Sequence, residues 1–330
     1  MGAEPSTDWS EVIPEDEAER FDRHIQTMTN VQKEMSEKYG KGRGLHRKAV
    51  LASAGRFTVL GDLPDYCRFG LFANGGTYES VIRLSNASHA IQPDKVPDTR
   101  GFSIKVKGLD GDNAMGTGKT DCQDFVLINR SALSSSSADD FVGLAASASQ
   151  GGLAPVRFLI GSRGFIGGLR TLSKILAGMR SPFSGFASEV FYSAAPLACG
   201  PYACRVRLLP AIEGAEPPSD DDVDWGADFR SHLAKGDLTF AFQLQFFVDE
   251  TNTPIENASV DWAEAVAPYV TVAHLTVPQS ALAQSEDQAF AAQIEQEAFD
   301  PWRALAEHRP LGSIMRVRKA VYYPSVQGRQ

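Results

Sequence analysis

The sequence predicts an α+β fold, an antiparallel β-barrel with helices packed around it. Three observations carry that expectation. Short runs with period-two alternation recur through the chain, among them "ESVIRLSNA" from Glu79, "GFSIKVKGL" from Gly101, "YACRVRLL" from Tyr202 and "DLTFAFQLQFFVDE" from Asp237. Turn residues, not regular helices, separate most of them, which argues against the strand–helix rhythm of a parallel sheet. The clearest helical patterns sit near the two ends, at Asp16–Tyr39 and from Glu286 onward.

Taken in order, residues 1–14 read as a loose arm, and the helix from Asp16 to about Tyr39 has few strong apolar anchors. That helix is expected to lie across a surface or a partner, so residues 1–39 are set apart from a core spanning 40–330. Its apolar residues Phe21, Ile25 and Met28 need cover, which suggests a homo-oligomer. Strands are expected at "FTVLG", "ESVIRLSNA", "GFSIKVKGL" and "DFVLIN". In the second of these, alternation puts Val81, Arg83 and Ser85 on one face and Ile82 and Leu84 on the other. The serine-rich "SALSSSSADD" reads as a loop leading to the N-cap of a helix. Residues 150–187 suggest short helices and loops. Strands resume at "EVFYSA", and "YVTVAHLTV" from Tyr269 is another. Helices "EDQAFAAQIEQEAF" and "GSIMRVRKAVYY" close the chain.

Composition narrows the function classes. The chain has 330 residues, 43% hydrophobic and 22% charged, ordinary for a globule. A net charge of −9 argues against nucleic-acid binding, which wants a basic face. The acidic "EVIPEDEAERFD" reads as a solvated face. Four cysteines, at 67, 122, 199 and 204, form no C-x-x-C pair, so free buried thiols are expected, although Cys199 and Cys204 are spaced for a disulfide. No apolar run reaches the length of a membrane span. The acidic start lacks the apolar stretch of a secretory signal, so the expected location is the cytoplasm. The histidines at 24, 89, 232, 274 and 308 show no metal-ligand spacing, and His274, alternating with Val270 and Val272, reads as a core histidine.

The tail "RKAVYYPSVQGR" carries the first chemical signal. Arg318 and Tyr322 are four apart and share a helix face. Tyrosine serves as an iron ligand only as phenolate, and with a free pKa of about 10 it needs a cation beside it. A guanidinium one turn away supplies that, and tyrosine is a known haem ligand. The same spacing also fits an arginine packed along a surface tyrosine.

Upstream motifs give the pattern a context. "RGLHRKA" (Arg43–Ala49), "RLSN" from Arg83, "RGFSIKV" from Arg100 and "QDFVLIN" ending on Asn129 precede "EQEAFDPW" and the R-x-x-x-Y tail. In that order they resemble the haem catalase family, in particular its small peroxidase-related branch, over roughly residues 40–330. The resemblance implies a b-type haem with Tyr322 as proximal iron ligand, held as phenolate by Arg318. It places Arg43, Arg83 and Arg329 on the haem propionates. It makes His46 the distal base, with Ser85 fixing its tautomer and Asn129 orienting the peroxide. The implied activity is peroxide consumption, as catalase or peroxidase, in the response to oxidative stress.

Departures from the family pattern shape the expected substrate. Arg47 and Ala49 replace the alanine and glycine that usually follow the histidine, and Gly312 stands where large catalases usually carry an acid. "RSALSSSS" replaces a proline and paired phenylalanines after Asn129, and no C-terminal helical domain is expected. These changes imply a wider distal pocket, open to organic hydroperoxides and a small reductant. Rearrangement of fatty-acid hydroperoxides, as in allene oxide synthases, is the alternative chemistry, although Leu45 before the histidine leans toward peroxidase or catalase. Haem binding without turnover is a third reading, against which His46 and Asn129 argue.

Overall fold

A computed structural model of the protein describes residues 2–180, 182–212 and 223–327. The alternating runs form nine described strands: β1 (Ala49–Val59), β2 (Gly76–Asn86), β3 (Arg100–Asp112), β4 (Lys119–Ile128), β5 (Phe191–Tyr192), β6 (Leu197–Cys199), β7 (Tyr202–Pro210), β8 (Leu238–Phe246) and β9 (Tyr269–Val277). Every pairing is antiparallel, in the order β5-β4-β3-β2-β1-β9-β8-β7-β6. β5 also pairs with β7, and this closes an eight-stranded barrel. Closure leaves few open edges.

Phenylalanines fill the barrel. Phe57 meets Phe242 edge-on at 5.0 Å, Phe125 meets Phe242 at 4.7 Å, and Phe102 meets Phe240 at 5.3 Å between ring centroids. Phe240 and Phe242 are therefore barrel core, as the alternation implied, while Phe247 belongs to a separate cluster with Trp262 and Leu311. On β2, Ile82 and Leu84 point into the barrel. Arg83 and Ser85 are buried too, on the opposite face, beneath the helical layer.

Seven described helices surround the barrel: α1 (Glu17–Tyr39), α2 (Ala138–Gln150), α3 (Ala154–Arg180), α4 (Trp225–Leu233), α5 (Leu282–Glu286), α6 (Gln288–Gln296) and α7 (Ser313–Gln327). α2 begins where the serine run predicts: Ser137 accepts from the Asp140 backbone N–H, and Asp139 and Asp140 sit in the positively polarised first turn. α3 bears out the expectation of short helices in part: it is two helical segments that meet at Gly164, whose φ of 70° and ψ of 170° break the helical geometry. Its glycines obscured the helical period in the sequence. α4 was not expected; Asp224 caps it, accepting from Gly226 and Ala227 N–H at 2.9 Å each.

The N-terminal arm is not loose. Ala3 N–H donates to Val266 O and Ser6 N–H to Phe247 O, each at 2.9 Å, and the Trp9 indole donates to Pro201 O at 2.8 Å. The acidic stretch is not simply a solvated face either. Arg316 on α7 gathers Glu11 at 2.7 Å, Glu17 at 2.7 Å and Glu256 at 2.9 Å. Burial pushes the Glu11 carboxyl up, but the Gly312 N–H with Arg309 and Arg316 outweighs it and holds the group low. The cover sought for α1 comes from the chain itself: Met28 is buried against Ala138, Val142 and Val317, with Phe21 packed alongside.

The four cysteines are free and buried. Burial pushes the Cys67 thiol up to about 12, which leaves it unreactive. His308 is a satisfied core histidine: Leu71 N–H donates to its Nε2 at 3.0 Å, and Nδ1 lies 3.3 Å from Ala198 O. His274 is half-buried at the barrel surface rather than in the core. No described helix is long and apolar enough to cross a membrane.

Candidate functional site

A cavity of about 970 Å³ lies between the outer face of the barrel and α7. Strand register builds one wall of it. Arg83 on β2 pairs with Ser103 on β3, which pairs with Val126 on β4. In the next row Ser85 pairs with Gly101, which pairs with Ile128. A period of two brings Arg83 and Ser85 to the same side.

His46 stands on this wall. Its backbone is left-handed, with φ of 51°, and its N–H donates to Ala87 O at 3.0 Å. That conformation is uncommon for a non-glycine residue and costs of order 1 kcal/mol. It brings Nδ1 to 3.0 Å from Ser85 Oγ. The ring lies close on Gly101: a Cβ there would stand 2.5 Å from Nδ1 and 2.8 Å from Ser85 Oγ. Glycine is required here by the close approach, not by its φ. Burial first, then the cations Arg83, Arg318 and Arg43, push the imidazole down to about 3, so it is neutral at pH 7.

The opposite wall is α7, which contributes Ile314, Val317, Arg318, Val321 and Tyr322. Arg318 donates a hydrogen bond to the Tyr322 hydroxyl oxygen, and its guanidinium carbon lies 5.0 Å from the ring centroid. Gly312 immediately precedes α7; its φ of 87° favours glycine and its N–H donates to Glu11 at 2.9 Å. The missing acid at this position is thus replaced by a turn that a side chain would strain.

Arg43 and Arg83 converge on Glu295. Arg83 Nε donates to Oε2 at 2.8 Å and Arg43 Nε to Oε1 at 3.0 Å. Burial raises the Glu295 carboxyl, but Arg83 and Arg43 outweigh it and hold the group ionised. The sequence reading quoted "EQEAFDPW" without giving Glu295 a role. Its partners lie 252 and 212 residues away, so no local signal names it. Arg83 also donates to His46 O at 3.0 Å, which ties the arginine pair to the loop that carries His46. Arg47, the residue after the histidine, donates to Arg43 O at 2.9 Å and to Gly40 O, and so fixes that loop.

Arg43, His46, Arg83, Arg318 and Tyr322 therefore share one cavity, with Ser85 behind the histidine. Asn129 follows β4, and its Oδ1 accepts from Arg100 N–H at 2.8 Å. The cavity wall is formed by its neighbours Ile128 and Arg130. Arg329 lies outside the described residues. Ala132, Leu133, Ser134 and Ser135 line the cavity where bulky aromatics were expected to be absent.

The donor set limits what this space can hold. No described group of three or more His, Cys, Asp or Glu side chains could hold a bare metal ion. An iron bound through Tyr322 needs a macrocycle to supply its other donors, and the arginine pair suits that macrocycle's carboxylates. Glu295 already shows that the two guanidinium groups take a carboxylate here. The cavity lies at the large end of ordinary ligand pockets, which run to about 1,000 Å³.

No protein-family model matches the chain, and no curated protein matches it in sequence. Solved structures do match. A fungal catalase superposes with a TM-score of 0.69 at 14% identity, over 100% of this chain and 65% of its own. Catalase A from Saccharomyces cerevisiae gives 0.70 at 15% identity, over 100% and 67%. A bacterial catalase gives 0.65 at 14% identity, over 100% and 63%. The chain thus spans about two thirds of the length of these catalases, and at this identity the likeness shows that it has a catalase-like fold.

Proposed function

We propose that the protein is a haem-dependent enzyme that consumes peroxides, with b-type haem ligated by Tyr322. The observation that carries this reading is the placement, in one cavity, of an arginine-bound phenol opposite a neutral, serine-linked imidazole. When bound, the haem would supply the two-electron chemistry of O–O cleavage. The chain supplies the rest. Arg318 favours the phenolate form of Tyr322 by charge and hydrogen bonding. Arg43 and Arg83 receive the cofactor's carboxylates, with Arg329 assigned to the same task. With Nδ1 donating to Ser85 Oγ, His46 presents Nε2 as the base. Nε2 takes a proton from one peroxide oxygen and returns it to the other. Asn129 is assigned to orient the peroxide, which requires its amide to turn from the strand end toward the cavity.

Cavity size favours organic hydroperoxides over hydrogen peroxide alone. The space runs from the site past Leu133, Phe141, Leu144 and Ile175, far beyond what hydrogen peroxide fills. A loose site positions a small peroxide poorly, and misplacement by 1 Å can cost about 10²-fold in rate. Weak oxygen release from hydrogen peroxide is expected, with clear oxidation of a phenolic reductant when an organic hydroperoxide is supplied. The deciding experiment loads the protein with haem and compares wild type with Tyr322→Phe. Wild type should give a high-spin ferric spectrum with a tyrosinate charge-transfer band, which the variant loses. An identical spectrum would remove Tyr322 as ligand. Rearrangement of a fatty-acid hydroperoxide without reductant would select the allene-oxide-type reaction instead.

A further inference from the structure

α3 carries a surface that the peroxide chemistry does not use. From residue 141 to residue 188 there is no Asp or Glu, while Arg157, Arg163, Arg170, Lys174 and Arg180 fall inside that stretch of a chain whose net charge is −9. Beyond the bend at Gly164, large apolar side chains stand in solvent: Phe165 is 66% exposed, Ile166 82%, Leu169 42% and Leu176 43%. Phe165, Leu169 and Leu176 are spaced at i, i+4 and i+11, so they form one stripe, with Ile166 at its edge. Arg170 and Lys174, also i and i+4, form a second exposed stripe roughly 120–160° round the helix from the first. Among the described residues neither Arg157, Arg170 nor Lys174 is paired with an acid, whereas Arg163 is bound to Asp140 at 2.8 Å.

We propose that this face of α3 docks on an anionic lipid surface. Protruding Phe, Ile and Leu side chains on one face, with cations on the polar side, are what an interfacial helix presents to a bilayer. Each cation near an anionic membrane adds attraction, and the apolar stripe adds burial in the headgroup layer. A second copy of the chain fits less well. A twofold contact along α3 would bring together two segments that carry cations and hold no acid from residue 141 to residue 188. The docking stands independently of the haem reading.

Co-sedimentation of the full chain with vesicles tests it. Wild type should bind vesicles containing phosphatidylglycerol, bind phosphatidylcholine vesicles weakly or not at all, and lose binding as salt rises. Arg170→Glu with Lys174→Glu should weaken binding by roughly 30-fold or more. Phe165→Ser with Ile166→Ser should abolish it with an unchanged far-UV circular dichroism spectrum, because both positions are exposed. Tyr322→Phe should bind as wild type does. Equal affinity for the two lipids, no binding to either, or full binding by both double variants would overturn the proposal. So would a wild-type dimer that ignores vesicles and dissociates when Phe165 and Ile166 are replaced. The lipid and salt comparisons on wild type decide the matter even if a variant misfolds.

Discussion

At the scale of single residues, the distal wall is governed by charge and close contact. His46 sits among three arginines, and those cations and burial depress its basicity. A depressed imidazole is protonated only near pH 3 and below, so it remains available as a base throughout pH 5–8. His46→Ala should leave haem bound and slow peroxide turnover by about 10²–10⁴-fold. Turnover in wild type should show no fall near pH 6.5 that depends on His46; a limb at that pH which vanishes in the alanine variant would contradict the assignment. Glu295 offers a second test. Glu295→Gln leaves Arg43 and Arg83 without the chain's carboxylate, at a cost of about 1–3 kcal/mol, less than for a fully buried pair because Glu295 is partly exposed. Added haem brings carboxylates of its own, so the Tm deficit of the variant should shrink on haem loading. A deficit unchanged by haem would mean that the arginines do not receive the cofactor. Arg43, His46, Arg83 and Ser85 were legible because family-like spacing marked them. Glu295 and Gly101 were not, since a buried counter-charge and a close approach exist only after strands and helices are brought together.

At the scale of elements, the position of α7 decides where Tyr322 stands. The R-x-x-x-Y spacing was readable, but what fixes the helix was not. Arg316 on α7 binds Glu11 and Glu17 from the arm and first helix and Glu256 from a loop. These residues looked like solvated acids because their partner is 305, 299 and 60 positions away. Removing the cation leaves carboxylates stranded where their side chains are about 9% exposed for Glu11 and Glu17. Arg316→Met should therefore cost about 3–5 kcal/mol. It should also release the arm, so that limited proteolysis cuts before Tyr39 in the variant and not in wild type. Equal cleavage of both would show that the arm is held by its backbone contacts and Trp9 instead. α3 was read in part. Its glycines lower helix propensity; at Gly164 the helix does break, and on either side of it packing against α2 overrides them.

At the scale of the whole molecule, buried neutral histidines set the acid limit. Burial pushes His308 down to about 4 and His46 down to about 3, both below the 6.5 of an exposed imidazole. The unfolded chain therefore binds protons that the folded chain refuses. Stability from these groups is complete above pH 6.5 and is lost as pH falls toward the folded values. For His308 the loss amounts to at most about 3 kcal/mol between pH 6.5 and 4. Urea unfolding at pH 7 and pH 4.5 should show it. His308→Asn cannot titrate there; it should be less stable at pH 7 yet lose less on acidification. The same slope in the variant would shift the cause to the carboxylate clusters.

The sequence by itself determined the barrel and marked the arginines, histidine and tyrosine set against it. Period-two alternation of Phe, Val, Ile and Leu gives each strand one face to bury, and an antiparallel closure buries all of them at once. The i, i+4 spacing of Arg318 and Tyr322 joins cation to phenol within one helix. Only the tertiary structure decided that Arg43 and Arg83 meet at Glu295, that the ring of His46 rests on Gly101, and that the acidic arm clamps α7. Periodicity is a property of neighbours along the chain, so a sequence displays it. Charge compensation and steric fit arise between segments hundreds of residues apart, and only closure of the barrel and docking of its helices creates those distances.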